Sequence, residues 1–299
     1  MRAKNDLLNW LEIMRPYSWP ATFAPVFMGA VLASWKGEIS LSLLAVILLG
    51  VIALHSAANF LNEYFDCRAG VDVPDTQNTS EVLLEGRLNP RQVYLAGRAV
   101  MIIFLLTALI FSIMLSRMGI ILFALMGVFG AYFYTAPPFS LKYRGFGAAG
   151  AFIFFGWLLP QAVFYTLAGE LSPNMVFLYV FPPGLLIAAI LHGNNMRDLE
   201  TDAGKIVTLA ILLGERWGKL LFYILIFSPY MFALIYIFAG LLSNSAFIVF
   251  FSLPLALKIA WRFVKAEDLQ YELLARIDEK TAALQAFFGT LWLFSLLLK

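Results

Sequence analysis

Residues 41–75 read LSLLAVILLGVIALHSAANFLNEYFDCRAGVDVPD. The first part, 41–61, is an almost unbroken apolar run, close to the roughly 20 residues a helix needs to cross a bilayer's hydrocarbon core. Its end has a different character. His55, Asn59, Asn62 and Asp66 step by 4, 3 and 4, which puts them on one stripe of a helix. A polar stripe closing an apolar span costs free energy unless its groups are occupied. The chain then turns at Gly70 and adds Asp72 and Asp75. An apolar span that ends in an acidic, amide-rich stripe sets the expectation for the rest of the chain: a membrane bundle with polar chemistry at one end.

Eight further segments repeat the apolar pattern, at 19–34, 93–116, 118–134, 148–168, 174–194, 220–240, 246–261 and 281–298. The 299 residues are 61% hydrophobic and 13% charged, with a mean hydropathy of +0.81. Soluble domains run about 45–50% apolar and about 25% charged. The composition excludes a disordered chain, a soluble domain and a disulfide scaffold, and the lone Cys67 allows no intrachain disulfide. The formal net charge of +2 gives no reason to expect a nucleic-acid partner. The expected fold is all-α: a multi-pass transmembrane bundle of nine helices, one domain over 1–299, with cytoplasmic helical loops covering the active site. Ahead of it, Leu7, Leu8, Leu11 and Met14 recur at helical spacing beside Trp10, which predicts a short amphipathic helix on the membrane surface.

Charge orients the bundle. With nine spans, 18 of the 21 Lys and Arg fall on the side of the N-terminus, and only Lys36, Arg117 and Lys299 on the other. The positive-inside rule puts the N-terminus and the long charged loops in the cytoplasm and the C-terminus outside. Of the 19 acidic residues only Glu38 and Glu170 share the outer side, so the polar machinery faces the cytoplasm. Mid-span ionisable residues, the usual mark of ion or proton transport, are almost absent. His55 and His192 sit near span ends and read as hydrogen-bonded helix-end residues. A transporter or a non-catalytic lipid-binding bundle stands as the alternative to an enzyme.

A second constellation matches the first. In His192-Gly-Asn194-Asn195-Met-Arg197-Asp198-Leu-Glu200-Thr-Asp202-Ala-Gly204-Lys205, the residues Asn195, Asp198, Asp202 and Lys205 again step by 3, 4 and 3. Both constellations contain Asn-x-x-x-Asp, at 62/66 and 194/198, and both close an even-numbered span. Two carboxylate clusters on facing helices repel one another unless a cation lies between them. Carboxylate and amide oxygens are hard ligands that suit Mg²⁺, which keeps several waters and borrows phosphate oxygens. The candidate metal set is therefore Asn62, Asp66, Asp72, Asn195, Asp198 and Asp202, with Asp66, Asp198 and Asp202 as the catalytic carboxylates. Arg68, Lys142, Arg197 and Lys205 are candidates to hold phosphate oxygens. Glu63, next to Asn62, points off the stripe. The mixed charges Lys265, Glu267, Asp268, Glu272, Arg276, Asp278, Glu279 and Lys280 read as a solvated surface helix, and Asn78-Thr79-Ser80 as a sequon on the wrong side for glycosylation.

On these residues the chain resembles the UbiA-type membrane prenyltransferases over nearly its full length. The matching stretches are Asn62-x-x-x-Asp66 with Gly70-x-Asp72, Asn194-Asn195-x-Arg197-Asp198-x-x-x-Asp202, and Gly204-Lys205 followed by Thr208-Leu-Ala. Tyr134-Thr-Ala-Pro137-Pro138 with Lys142 and Gly145 looks like the family's middle loop, and Arg15-Pro16 through Gly29 like its opening helix. The Asn-Asn-x-Arg-Asp form is most similar to the naphthoate, or menaquinone-type, branch. Hydroxybenzoate, homogentisate, protohaem, chlorophyllide and glycerol-phosphate branches compete. The resemblance implies an isoprenyl diphosphate held through Mg²⁺ on the two aspartate motifs, ionised to an allylic cation, and passed to an aromatic quinone-precursor acceptor in the bilayer. It also implies substrate contacts at Asn59, Arg68, Tyr134, Lys142, Asn194, Arg197 and Lys205. A glycerol-phosphate lipid is the alternative acceptor.

Overall fold

A computed structural model of the chain describes residues 2–71, 82–266 and 271–299. Among them the secondary structure is helical, with no strand longer than one isolated bridge. Eleven helices follow in order: α1 Arg2–Met14, α2 Pro20–Ser34, α3 Leu41–Ala69, α4 Pro90–Met114, α5 Gly119–Phe133, α6 Gly147–Ala168, α7 Pro173–Arg197, α8 Leu199–Asp202, α9 Leu209–Phe238, α10 Asn244–Lys265 and α11 Ile277–Leu297. The expected count of nine is thus corrected. Counting apolar segments left out the amphipathic α1 and the four-residue α8, whose one apolar residue is Leu199. Among the described residues, seven helices are long and apolar enough to cross a membrane; α2 and α5 are apolar but shorter, at 15 residues each.

Local chemistry sets the boundaries. Side-chain oxygens of Ser40, Asn89 and Thr208 accept from the backbone N–H groups of Leu43, Arg91 and Ile211, capping α3, α4 and α9. Gly70 ends α3 at φ 67°, a left-handed conformation that glycine adopts without penalty.

α7 lies at the centre, flanked by α6, α9 and α11. Its Pro182 and Pro183 cannot donate to the carbonyls of Leu178 and Tyr179. In an apolar surrounding those carbonyls need other partners. The Tyr236 hydroxyl donates to Leu178 O at 2.8 Å, and the Trp292 indole N–H to Tyr179 O at 2.9 Å. The proline pair therefore ties α7 to α9 and α11. Gly156 and Gly184 let α6 and α7 touch backbone to backbone, as small residues do in membrane bundles. α4 is peripheral, with Ile102, Ile103, Leu106, Ile110 and Ile113 exposed along it as a lipid-facing surface would be.

The three basic residues set apart by the charge count gather at the end of the bundle away from Asp66. Lys36 pairs with Glu170 at 2.8 Å, Arg117 donates to Thr166 and Leu167 carbonyls, and Lys299 lies over Trp35 and Tyr179. α1 carries Leu7, Leu8 and Leu11 exposed, while Ile13 is buried and Trp10 packs on Phe60.

Candidate active site

The last turns of α3 place the first stripe against the rest of the bundle. His55 Nδ1 lies 2.7 Å from the Thr22 hydroxyl and its Nε2 3.3 Å from that of Ser18. Asn59 donates to Met14 O at 2.9 Å, and Asn62 Oδ1 accepts from Thr135 at 3.2 Å. Asp66, only 2% exposed, accepts from Lys142 Nζ at 2.6 Å and from the Tyr143 hydroxyl at 2.7 Å. Glu63 does point off the stripe, and its buried carboxylate meets Arg15 at 3.1 Å.

Lys142 and Tyr143 come from a single 3₁₀ turn, Leu141–Tyr143. Two backbone contacts hold that turn. Lys142 N donates to Tyr134 O at 2.8 Å, and Val207 N donates to Tyr143 O at 3.1 Å, beside the parallel bridge of Arg144 and Val207. The loop after α5 is thereby stitched to the loop after α8. This brings Asp202 into the field of Asp66.

Asp202 records the convergence. Its carboxyl is pushed up to about 6, chiefly by burial, then by the negative charges of Asp198 and Asp66, against the opposing pull of Lys142 and Lys205. One side chain thus senses both motifs. The end of α7 is organised by Arg197. Its guanidinium grips Asp198 with two bonds, at 2.7 and 2.5 Å, and also donates to Asn194 Oδ1 at 2.6 Å and to Asp278 at 3.0 Å.

A cavity of about 350 Å³ opens from this cluster. Asn59, Asn62, Tyr134, Lys142 and Asn194 line its polar end, together with Arg15, Tyr17, Asp278 and Glu279. Deeper in, its walls are Val51, Leu54, Phe104, Phe123 and Phe155.

The structure therefore brings together Asn59, Asn62, Asp66, Tyr134, Lys142, Asn194, Arg197, Asp198 and Asp202. Asn195 is buried one position round α7 from Asn194. Arg68 is exposed and reaches the Tyr64 hydroxyl at 3.3 Å, away from the carboxylates. Lys205 is exposed and acts on Asp202 through its charge. Asp72 lies outside the described residues, as do Asp75, the Asn78 sequon, Glu81, Glu267 and Asp268.

Four contributors were not legible in the sequence as site residues: Arg15, Tyr17, Tyr143 and the pair Asp278–Glu279. The acidic pair corrects the expected solvated helix. It opens α11, and Asp278 is held by buried Arg197. Tyr143 had a signal in its adjacency to Lys142; Asp278 had none.

Among the described residues, no group of three or more His, Cys, Asp and Glu side chains is arranged to hold a metal by itself. The donor set still fits Mg²⁺. That ion binds through one or two carboxylates, amide oxygens, waters and substrate phosphates. Asp202, its carboxyl raised first by burial and then by the charges of Asp198 and Asp66, lies where a cation would favour the ionised form.

The UbiA prenyltransferase family pattern matches residues 22–276. UbiA prenyltransferase domain-containing protein 1 from Danio rerio is 32% identical over 294 residues, covering 95% of this chain and 82% of that protein. The Homo sapiens protein of that name is 30% identical over 304 residues, covering 97% and 83%. Among solved structures, a UbiA homologue from Aeropyrum pernix K1 in its apo form superposes with a TM-score of 0.65 at 15% identity, over 91% of this chain and 96% of that one. A UbiA homologue from Archaeoglobus fulgidus, solved bound to GPP and Mg²⁺, gives 0.62 at 18% identity, over 97% and 100%. The structures share the fold, and the sequence match runs through both acidic motifs: this chain belongs to the UbiA prenyltransferase family.

Proposed function

We propose that the protein is an Mg²⁺-dependent prenyltransferase, releasing diphosphate as it moves an isoprenyl group from an allylic diphosphate to an aromatic quinone-precursor acceptor of the menaquinone type. The observation that carries this reading is the gathering of both acidic motifs round Lys142, which bonds Asp66 and lines, with Asn62 and Asn194, the polar end of a cavity that turns apolar with depth. The Archaeoglobus homologue that binds GPP and Mg²⁺ on the same fold supports the donor class.

When bound, Mg²⁺ supplies positive charge that neutralises the diphosphate leaving group. Asp66, Asp198 and Asp202 would hold it, with Asn62 and Asn194 as neutral oxygen donors that add no repulsion toward phosphate. Lys142, already beside Asp66, is placed to share a phosphate oxygen. Arg197 acts as a positioning residue: with four bonds committed, it fixes the carboxylate plane of Asp198. The bond from the prenyl C1 to oxygen breaks, and its electron pair leaves with the diphosphate. The acceptor's nucleophilic atom bonds to C1, and the acceptor sheds a proton. The apolar walls keep water from the allylic cation. Tyr134 and Phe155 line the cavity, and a ring face turned to the cation adds roughly 0.5–2 kcal/mol of cation–π stabilisation. We assign this mouth, with the N-terminus, to the cytoplasmic side.

The test is turnover of purified protein with Mg²⁺, geranyl diphosphate and a panel of dihydroxynaphthoate, hydroxybenzoate, homogentisate and glycerol phosphate. A prenylated naphthoate product, lost on chelation and in Asp198→Ala, is expected. Transfer to glycerol phosphate alone would overturn the aromatic acceptor; no transfer to any acceptor would overturn the activity.

A further inference from the structure

The sequence marks Arg68 for a phosphate, yet the fold turns it away from the carboxylates. It joins a second cationic cluster instead, on the outer flank where α3, α4 and α5 meet. Arg68 Nη1 donates to the Tyr64 hydroxyl at 3.3 Å. The Tyr64 ring lies 4.8 Å from that of Tyr94 on α4, tilted by 34°. The Arg98 guanidinium stands 5.5 Å from the centre of the same Tyr94 ring. The Tyr94 hydroxyl is 3.3 Å from that of Tyr132 on α5. Phe65 meets Tyr94 and Tyr132 edge-on. Two exposed arginines thus share one aromatic floor. Among the described residues, neither is paired with a carboxylate. None of these side chains lines the active-site cavity.

The depth of Arg98 decides what it meets. Leu95, Arg98, Ile102, Leu106, Leu109 and Ile113 recur at steps of three and four and are all exposed, so they form a lipid-facing stripe on α4. Met114 ends that helix at the far side of the bundle, close to Arg117. Arg98 is sixteen positions before it, roughly 24 Å, which falls short of a hydrocarbon core of roughly 30 Å. The side chain closes the gap. It runs back one turn to Tyr94, twenty positions or roughly 30 Å from Met114. Arg68, in the last turn of α3, reaches the same ring pair from the other side. Both charges therefore stand at headgroup level, in the leaflet on the active-site side.

Guanidinium forks match phosphate oxygens. The hydroxyls of Tyr94 and Tyr132 hold two protons, and their mutual bond uses one of them. A zwitterionic headgroup carries its own ammonium, which offsets the attraction of two arginines; an anionic headgroup does not. We propose that Arg68, Arg98 and the Tyr64–Tyr94–Tyr132 cluster bind the phosphate of one anionic glycerophospholipid, whose acyl chains lie along the exposed stripe of α4. The site is independent of the prenyl-transfer chemistry.

The test titrates the whole chain, in neutral detergent, with dioleoylphosphatidylglycerol or dioleoylphosphatidylcholine, and resolves bound lipid by native mass spectrometry. One phosphatidylglycerol is expected to bind at least tenfold more tightly than phosphatidylcholine. A basic residue near an anionic surface gains roughly fivefold in attraction. Arg68→Gln and Arg98→Gln should each weaken phosphatidylglycerol binding by about that factor, and the double variant by about 25-fold, with phosphatidylcholine unmoved. Lys265 is the control: it is exposed and lies 5.9 Å over Trp261 on α10, a cation on an aromatic ring without a second arginine. Lys265→Gln should change nothing. An equal loss in Lys265→Gln would mean diffuse attraction to a basic surface and overturn the site, as would equal affinity for the two lipids. Displacement of phosphatidylglycerol by millimolar inorganic diphosphate would return the arginines to a soluble phosphate and overturn it too. Each variant must melt as wild type does; should one arginine variant fail to, the other decides alone.

Discussion

Lys142→Met separates the charge of the lysine from its bulk. In the protein, Lys142 Nζ donates to Asp66 at 2.6 Å, and Asp66 is almost wholly buried. The variant keeps the bond from the Tyr143 hydroxyl to that carboxylate, at 2.7 Å, and loses the ammonium. A hydrogen bond to a charged group contributes about 1.5–3 kcal/mol, so the metal-free variant should lose roughly 2 kcal/mol. Mg²⁺ should restore it, because a cation on Asp66 replaces the lost ammonium. A ligand at one hundred times its Kd adds about 2.7 kcal/mol, enough to cover the loss. Thermal unfolding in detergent, with and without Mg²⁺, measures the difference. Turnover should change in a separable way: the KM for prenyl diphosphate rises at least tenfold, while the Mg²⁺ concentration for half-activation falls, since the deficit closes only if the variant binds Mg²⁺ more tightly. Asp202→Asn should do the opposite, weakening Mg²⁺ dependence and donor binding together. A stability deficit that Mg²⁺ leaves untouched, or the same kinetic pattern in both variants, would refute the division between metal-holding carboxylates and a phosphate-holding lysine.

Proton competition should be visible at Asp202, whose carboxyl sits at about 6 without metal. The raised value means that the metal-free fold favours the protonated form, a contribution that fades as pH rises from the usual carboxylate range through 6. Mg²⁺ needs the ionised form, so its half-activating concentration should climb as pH drops from 7.5 to 5.5; a flat profile would remove Asp202 from the metal. Arg197→Lys keeps the charge but loses the fork that spans Asn194, Asp198 and Asp278, and kcat should fall more than tenfold with a smaller change in donor KM. Equal activity would show that Asp198 needs no positioning. Trp292→Phe leaves the Tyr179 carbonyl unpaired beside Pro183 and should lower stability by about 1–3 kcal/mol in detergent melts, with donor KM unchanged. Cys67, next to Asp66, should label from the side opposite a cysteine placed at Lys299 in sealed vesicles; labelling from one side would reject the topology.

Much of this protein is written locally in its sequence. Apolar runs of bilayer length dictate helices, because in lipid every backbone group must bond within its own segment. The 4, 3, 4 spacing of His55, Asn59, Asn62 and Asp66 dictates a stripe, and that stripe faces inward. The paired acidic motifs were sufficient to suggest the family. Other features depended on packing between distant segments. Lys142 reaches Asp66 across 76 residues, and Arg197 reaches Asp278 across 81. Nothing in the local pattern around Asp278 distinguishes a charge drawn into the site from one left in water, because both sit at helical spacing among mixed charges. Eleven helices among the described residues, rather than nine, follow from counting apolar runs alone: α1 is amphipathic, and α8 is a single turn with one apolar residue. The cavity is likewise a product of packing. Its width depends on where Gly50 and Gly127 fall relative to Phe104 and Leu54 on neighbouring elements, a relation between helices that no single helix encodes.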